Sequence, residues 1–412
     1  MRARDRGVAL LATLGVLSVL LVLASSYSLA VRTETRLTAS AVHRTQASWL
    51  AEAGLQRAFV ELRDHPEQFA VLSESNETSQ PLVLTIDSAE ESGLSLSEGR
   101  FVVNAIDEAA RVNVNTASDQ ILEKLLADDP GLVDAIMDWR DGDAASRESG
   151  AEREFYESLP DPYESRDDWF QTLPEMLLLR DVTPARFFGE AGVSPLADEA
   201  EAGTADTELT PLSELFTVDS YDQNLNAAGE QRVDLTEADS EELSERLGDV
   251  LAPEEVEAII EYRDGGTAQG PATDDGPVAV VGPPAAAEET PGDAGGEESE
   301  TSRWLPTVAH LLDVLDRDKV QRIYDQLTTS ADSTLLGLVN VNTASAEVLA
   351  SLPGMDATIA DALVQARREQ PFETVGDLLR LTEISNEVFK QVAPLLTTRS
   401  LAYRLTASGT VG

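Results

Sequence analysis

Arg111-Val-Asn-Val-Asn-Thr-Ala-Ser-Asp-Gln-Ile-Leu122 is the stretch on which the fold turns, because it returns twice in the same chain. The other copies are Arg232-Val-Asp-Leu-Thr-Glu-Ala-Asp-Ser-Glu-Glu-Leu243 and Val339-Asn-Val-Asn-Thr-Ala-Ser-Ala-Glu-Val-Leu349, so equivalent residues such as Val112, Val233 and Val339 recur at intervals of 121 and 106 residues. Intervals of that size exceed any solenoid period and describe separate modules carrying insertions. In each copy a small polar residue precedes an apolar-periodic run. Asn115 or Thr116, and Asn342 or Thr343, are the expected helix caps, with Leu122 and Leu349 on the buried face.

Working outward, each copy is followed by a second stretch of helical spacing: Ala135-Ile-Met-Asp-Trp-Arg140, Ala258-Ile-Ile-Glu-Tyr-Arg263 and Ala362-Leu-Val-Gln-Ala-Arg367. A tight turn separates the two stretches, clearest at Pro353-Gly354. This is a helix-hairpin-helix pattern. The third copy continues with Pro371-Phe372-Glu-Thr-Val375-Gly-Asp-Leu378-Leu379, a second short helical pair of the kind found in SAM-like paired hairpin domains. The modules are expected over residues 111–216, 217–335 and 336–398. Before them, Leu82-Val-Leu-Thr-Ile-Asp87 and Arg100-Phe-Val-Val-Asn-Ala-Ile106 read as strands of a β region spanning 64–110. After them, in 399–412, Leu401-Ala-Tyr-Arg-Leu-Thr-Ala407 reads as a strand returning to the same small antiparallel sheet. Gly265 to Ser302 holds 13 Gly or Pro in 38 residues and no aromatic or basic residue, too little apolar surface to offset ordering entropy. It is expected as an irregular linker, and Glu190 to Thr210 as a shorter one.

Charge narrows the function. The chain of 412 residues carries 30 Lys and Arg against 75 Asp and Glu, a formal charge of −45. Free binding to nucleic acid is therefore not expected, since the phosphate attraction is reversed. The third module repeats the point locally, with eight acidic residues against four basic ones between Leu338 and Thr397, and Asp356 in the hairpin. Cysteine is absent, which leaves no thiolate site, and the three histidines, His43, His65 and His310, are scattered and leave little material for a His-based triad or zinc site. No nucleophile elbow, phosphate loop or dinucleotide fingerprint is present, so an enzyme is not expected.

One segment departs from the acidic average. Arg2, Arg4 and Arg6 precede a run from Gly7 to Val31, 25 residues without a charge. As a helix this run rises about 36 Å, enough for a hydrocarbon core of about 30 Å, and the arginines predict a cytoplasmic amino terminus. Helical character continues through Ala39, Ala47, Leu50, Ala53, Leu55 and Phe59 to about Arg63, unlike a cleaved secretory signal. The first stretch, Arg-Gly7-Val8-Ala-Leu-Leu ahead of a long apolar helix, resembles the leader of type IV pilin-like proteins. The resemblance implies a leader over residues 1–7, cut by a prepilin peptidase between Gly7 and Val8, and a pilin-like helix over 8–63. Ordinary pilins carry Glu five residues into the mature chain. Here Ala12 stands at that position, a departure common in the K-type minor subunit of type II secretion.

The most specific resemblance follows the first hairpin: Asp138-Trp-Arg-Asp141-Gly-Asp143, then Gly150-Ala-Glu152-Arg-Glu154-Phe-Tyr156 and Asp161-Pro-Tyr163. That acidic run is similar to one typical of the type II secretion minor pseudopilin K family, also called general secretion pathway protein K. The resemblance covers the first and third modules but not the middle one. It implies a pseudopilus tip subunit with the I- and J-type minor pseudopilins and the prepilin peptidase as partners, anchored once in the bacterial inner membrane with its bulk in the periplasm. It also implies calcium, for which Asp138, Asp141, Asp143 and Glu152 are the expected ligands. Closely spaced carboxylates can supply the oxygens Ca²⁺ takes, although the spacing is not an EF-hand loop. Trp139 and Tyr156 are expected as core anchors. Two other functions fit parts of the pattern: a membrane-anchored helix-hairpin-helix DNA receptor of the competence type, and a signal-anchored periplasmic adaptor. The sequence thus predicts an α+β protein: a long transmembrane, pilin-like helix with a small sheet, into which a large all-α region of hairpin modules is inserted.

Overall fold

The computed structural model describes residues 3–64, 83–87, 99–189, 209–265 and 305–411, with backbone alone for 3–12, 64 and 83–87. The two irregular connections, but for residues 209, 210 and 265, lie outside the described residues. Contacts divide the chain into two compact units.

The first unit contains helix α1 (Ala3–Asp64) and most of a three-stranded sheet of β1 (Val83–Asp87), β2 (Gly99–Asp107) and the C-terminal β3 (Tyr403–Val411), with β2 in the middle. The late strand therefore does return to the early ones. Alternation sends Phe101 and Val103 of β2 to one face, where they meet Ala58 of α1 with Leu50, Leu55, Leu405 and Ala407 around them. Helix and strand approach closely: a Cβ on Gly409 would lie 2.0 Å from the Ala47 carbonyl oxygen. Only glycine permits that approach. The described side chains of α1 from Thr13 to Thr45 are exposed, and an apolar window of mean hydropathy 2.1 makes the helix long and apolar enough to cross a membrane. Ser18, Ser26, Thr33 and Thr35 donate to the carbonyls four residues earlier, which satisfies their hydroxyls inside the apolar helix.

The second unit is built from three repeats around one shared apolar core. In the first, α2 (Asp119–Leu125) and α3 (Pro130–Arg140) form a helical pair, α4 (Arg153–Glu157) follows, and α5 (Pro184–Phe188) and α6 (Leu212–Leu215) complete the repeat. The second has α7 (Ser240–Leu247), α8 (Pro253–Gly265) and α9 (Arg317–Ile323), and the third α10 (Ala346–Ser351), α11 (Ala357–Glu369) and α12 (Asn386–Val392). The caps of α2 and α10 are Ser118 and Ser345, not the expected Asn or Thr residues, and Asp239 caps α7. The reason is that the asparagines are used elsewhere. Asn115 donates to the Phe170 carbonyl and accepts from the Phe170 N–H, and Asn342 does the same to Phe372, tying the first half of the repeat to the second.

A basic residue at the end of each second helix binds the start of its own repeat. Arg140 donates to the carbonyls of Val114 and Ala117, Arg263 to those of Leu235 and Ala238, and Arg367 to those of Val341 and Ala344, at 2.6–3.1 Å. The second helical pair, expected only in the third copy, occurs in all three. It opens on a 3-10 turn at Leu173–Leu178, Val308–Asp313 and Val375–Arg380 and continues into α5, α9 and α12. Each repeat then closes on itself by a two-residue parallel pair: Val112 with Phe216 and Asn113 with Thr217, Val233 with Leu327 and Asp234 with Thr328, Val339 with Leu396 and Asn340 with Thr397.

The repeats meet in alternating fashion. The first and third join through α2 and α10, where the Lys124 ammonium donates to the carbonyls of Leu352 and Met355 in the turn of the third repeat. The second and third join through their later halves, α9 on the 3-10 turn of the third and α12 on that of the second. Arg317 there donates to the carbonyls of Leu379, Leu381 and Ile384. The middle repeat leaves and rejoins the chain through an antiparallel stem, Tyr221–Gln223 against Thr334–Leu336.

Candidate metal centre

The acidic run lies on the loop that leaves α3. Arg140 anchors the base of this loop, and burial lowers its pKa to about 10. Asp141 ends the helix, its side chain accepting from the Asp143 N–H, while Asp143 accepts from the Ala145 N–H at 2.7 Å. Such Asx turns fold the loop back so that successive carboxylates converge. The chain then returns past Gly150, where a Cβ would sit 2.0 Å from an Asp138 carboxylate oxygen, and reaches Glu152 at the start of α4. Tyr156 and Trp139 are buried with their rings edge-on at 5.3 Å, holding α4 against α3.

Three of the four expected ligands come together. One carboxylate oxygen from each of Asp141, Asp143 and Glu152 lies within 4.8 Å of the others. Asp138 does not join them. It is fully buried and its carboxylate accepts from the Ser146 hydroxyl and the Arg147 N–H, so it shapes the loop from beneath. Burial pushes its pKa up.

Glu152 is the unusual member. Its residue is 7% exposed, its side chain makes no cap bond at the head of α4, and its Oε1 has no hydrogen-bond partner. An uncompensated buried carboxylate costs several kcal/mol, about 1–3 or more for the lost partner alone. Accordingly its pKa is raised to about 7, by burial first and then by Asp138, Asp141, Asp167 and Asp143. Asp141 is raised as well, through burial and the neighbouring Asp143 and Asp138 carboxylates. Asp167, absent from the expected set, holds its charge. Burial would raise its pKa, but the Ser165 hydroxyl and Arg153 outweigh it and leave the pKa lowered. Its left-handed backbone, φ 51°, is the only local signal, and sequence does not display it.

These residues fit a hard divalent cation, supplying oxygen ligands only and one orphaned carboxylate oxygen. Elsewhere, a cavity of about 330 Å³ lies between the second and third repeats. Its carboxylates are engaged, Asp325 by Arg232 and Asp222 by Thr397 and Arg399.

Two family models, each described as type II secretion system protein K, match residues 99–187 and 339–399. The first takes in the acidic loop and the second almost the whole third repeat, and neither reaches the middle repeat. The type II secretion system protein K of Aeromonas hydrophila is 29% identical over 200 residues, 44% of this chain and 60% of that protein's length. A chain from the GspK-GspI-GspJ complex of the enterotoxigenic Escherichia coli type 2 secretion system is 14% identical. It aligns over 71% of this chain and 85% of its own length with a TM-score of 0.28. The acidic loop and the third repeat are thus each similar to type II secretion system protein K, and this chain spans about three fifths of the length of the curated relative of that description.

Proposed function

We propose that the chain is a minor pseudopilin that caps the pseudopilus tip of a type II secretion system and assists protein export across the outer membrane. The observation that carries this reading is α1: 62 residues, with an apolar stretch exposed from Thr13 to Val31, and packed on a strand of a small sheet at its other end. Such a helix sits once in the inner membrane, amino terminus inward, and transfers into the helical bundle of a filament. The three-repeat body, inserted in sequence between β2 and β3, is too bulky for the interior of a filament and belongs at its end. Ala12 in place of a carboxylate suits a subunit with no neighbour above it, since no terminal amine there needs neutralising. The I- and J-type minor pseudopilins are its partners, the prepilin peptidase processes it between Gly7 and Val8, and it performs no catalysis.

Asp141, Asp143 and Glu152 hold calcium in this reading, with Asp138 bracing the loop. The bound ion supplies the positive charge that the clustered carboxylates lack. Two measurements test the proposal. Co-expression with the peptidase shifts the electrophoretic mobility of the wild-type chain and leaves a Gly7→Asp variant unshifted. Affinity purification of the membrane-extracted chain recovers the I- and J-type subunits. Unshifted wild-type protein, or purification without those subunits, leaves the adaptor reading in its place.

A further inference from the structure

Between its apolar stretch and its sheet-packed end, α1 carries Arg32, Glu34, Arg36 and Arg44, all exposed. Among the described residues, none of these three arginines makes a hydrogen bond or ion pair. The contrast lies on the same helix, where Glu61 holds Arg57 from one turn away at 3.0 Å. Helical spacing explains the difference. At about 100° per residue, Arg32 and Arg36 lie about 40° apart on one face, whereas Glu34 stands about 200° round from Arg32 and faces neither. Two guanidinium groups one turn apart thus share a face with no carboxylate of their own chain to bind.

Their depth follows from the apolar run that ends at Val31. At 1.5 Å per residue, Arg32 and Arg36 stand about 1.5 and 8 Å beyond it. Each polar layer of a bilayer is about 5–8 Å deep, so both arginines reach headgroup level, while Arg44, about 20 Å out, does not. Tyr27, one turn inside Val31 and 73% exposed, marks the same boundary independently, because a tyrosine ring suits the edge of the hydrocarbon. When the leader arginines leave with residues 1–7, no charged side chain borders the apolar run except at this end.

We propose that Arg32 and Arg36 together grip the phosphate of an anionic phospholipid, of the phosphatidylglycerol class, where α1 leaves the bilayer. Guanidinium forks suit phosphate oxygens, and two of them on one face can hold a single headgroup. An anionic lipid is selected over a zwitterionic one, because the ammonium beside a zwitterionic phosphate would meet the second guanidinium. Lipid is selected over an acidic protein by position, at headgroup depth directly beyond the apolar run. The chain's charge of −45 opposes free binding to an anionic surface, so the grip depends on α1 already holding the pair there. The site exists only if α1 spans the membrane as proposed above.

Full-length wild type and variants are reconstituted in vesicles of phosphatidylcholine with about one fifth phosphatidylglycerol. They are re-extracted in mild detergent at about 0.15 M salt, where screening removes interactions beyond about 8 Å, and the retained lipids are weighed by native mass spectrometry. Wild type is expected to retain at least about fivefold more phosphatidylglycerol than Arg32→Gln/Arg36→Gln, with Arg44→Gln at the wild-type level. Arg32→Lys/Arg36→Lys recovers most of the difference, since the charge stays. The arginines of residues 1–7 are the same in every chain and cancel from the comparison. Glutamine suits an exposed helical position, so circular dichroism is expected to match wild type. Equal retention by wild type and the double glutamine variant overturns the proposal, as does an equal loss in Arg44→Gln. An acidic protein that copurifies from membranes with wild type and not with the double variant, at unchanged lipid retention, also overturns it. Alkaline carbonate separates this site from the membrane reading beneath it. A chain that stays in the membrane pellet but shows no lipid difference loses the site alone, and a chain released by carbonate loses both.

Discussion

Glu152 and Arg367 show two ways of burying an ion. Glu152 is left with one oxygen unpartnered, and its raised pKa means that the folded state prefers the proton. The linkage follows from the sign: this contribution to stability is full below the unfolded value of 4.5 and is lost as the pH rises through about 7. Chelated protein is therefore expected to melt lower at pH 7.5 than at pH 5.5, and calcium to restore the loss at pH 7.5 with little effect at pH 5.5. Thermal scans with chelator and with calcium check this, and Glu152→Gln should raise the metal-free melting point at pH 7.5 while erasing most of the calcium increment. Arg367, by contrast, holds the Val341 and Ala344 carbonyls on one nitrogen while its Nε has no partner, and burial lowers its pKa to about 10. Arg367→Met removes both bonds and orphans two buried acceptors, an expected loss of about 3 kcal/mol in urea unfolding. Arg367→Lys keeps the charge on a shorter, more flexible stem, so it should recover only part of that.

At the scale of elements, the capping boxes of the repeats differ in one informative place. Thr172 pairs with Glu175 and Thr374 with Asp377, but in the middle repeat Thr307 pairs with His310, at 2.9 Å to Nδ1. Burial and the Lys390 ammonium lower the His310 pKa below its ordinary 6.5, against the opposing pull of Asp313, the Thr307 backbone and Glu387. Here the unfolded chain binds the proton better, so this contribution is complete above pH 6.5 and is lost as the pH falls below it. Chemical denaturation of wild type and His310→Gln between pH 7.5 and 5.5 is expected to show a fall for wild type that the variant lacks. The same substitution explains what the sequence concealed. The opening motif Val-Asn-Val-Asn-Thr-Ala-Ser is readable in the first and third copies and, as Val-Asp-Leu-Thr-Glu-Ala-Asp, in the second, but the later half of the middle repeat has Leu305 where the others have Phe170 and Phe372 and His310 in place of the acidic cap. The closing strands are two residues long, too short for any periodicity. At the metal centre the carboxylates were legible as a cluster in sequence. Which of them would be buried beneath the loop was not: Asp138 is, held there by the Ser146 hydroxyl and the Arg147 N–H.

For the molecule as a whole, the hairpin turn of the third repeat bears on the DNA reading. Its Leu352 and Met355 carbonyls are held by Lys124, and a Cβ on Gly354 would meet the Gln391 side chain at 2.7 Å, so the turn is packed against protein. Together with the net charge this predicts no mobility shift of duplex DNA by residues 64–412 in about 0.1 M salt, where counterion release would otherwise favour a binder. The stem beneath the middle repeat has a further meaning. Gln223 and Thr334 face each other across it, a register that a two-residue Asn-Gly turn could close. Replacing residues 224–333 by Asn-Gly is expected to leave a cooperatively folding chain in which the first and third repeats resist proteolysis, less stable for the loss of the Arg317 clasp on the third. Because every repeat also begins and ends on adjacent strands, each is a cassette whose entry and exit share one doorway. A protein so built can lengthen by a hundred residues without moving its other parts, and the middle repeat, untouched by either family match, is what such growth by duplication would leave behind.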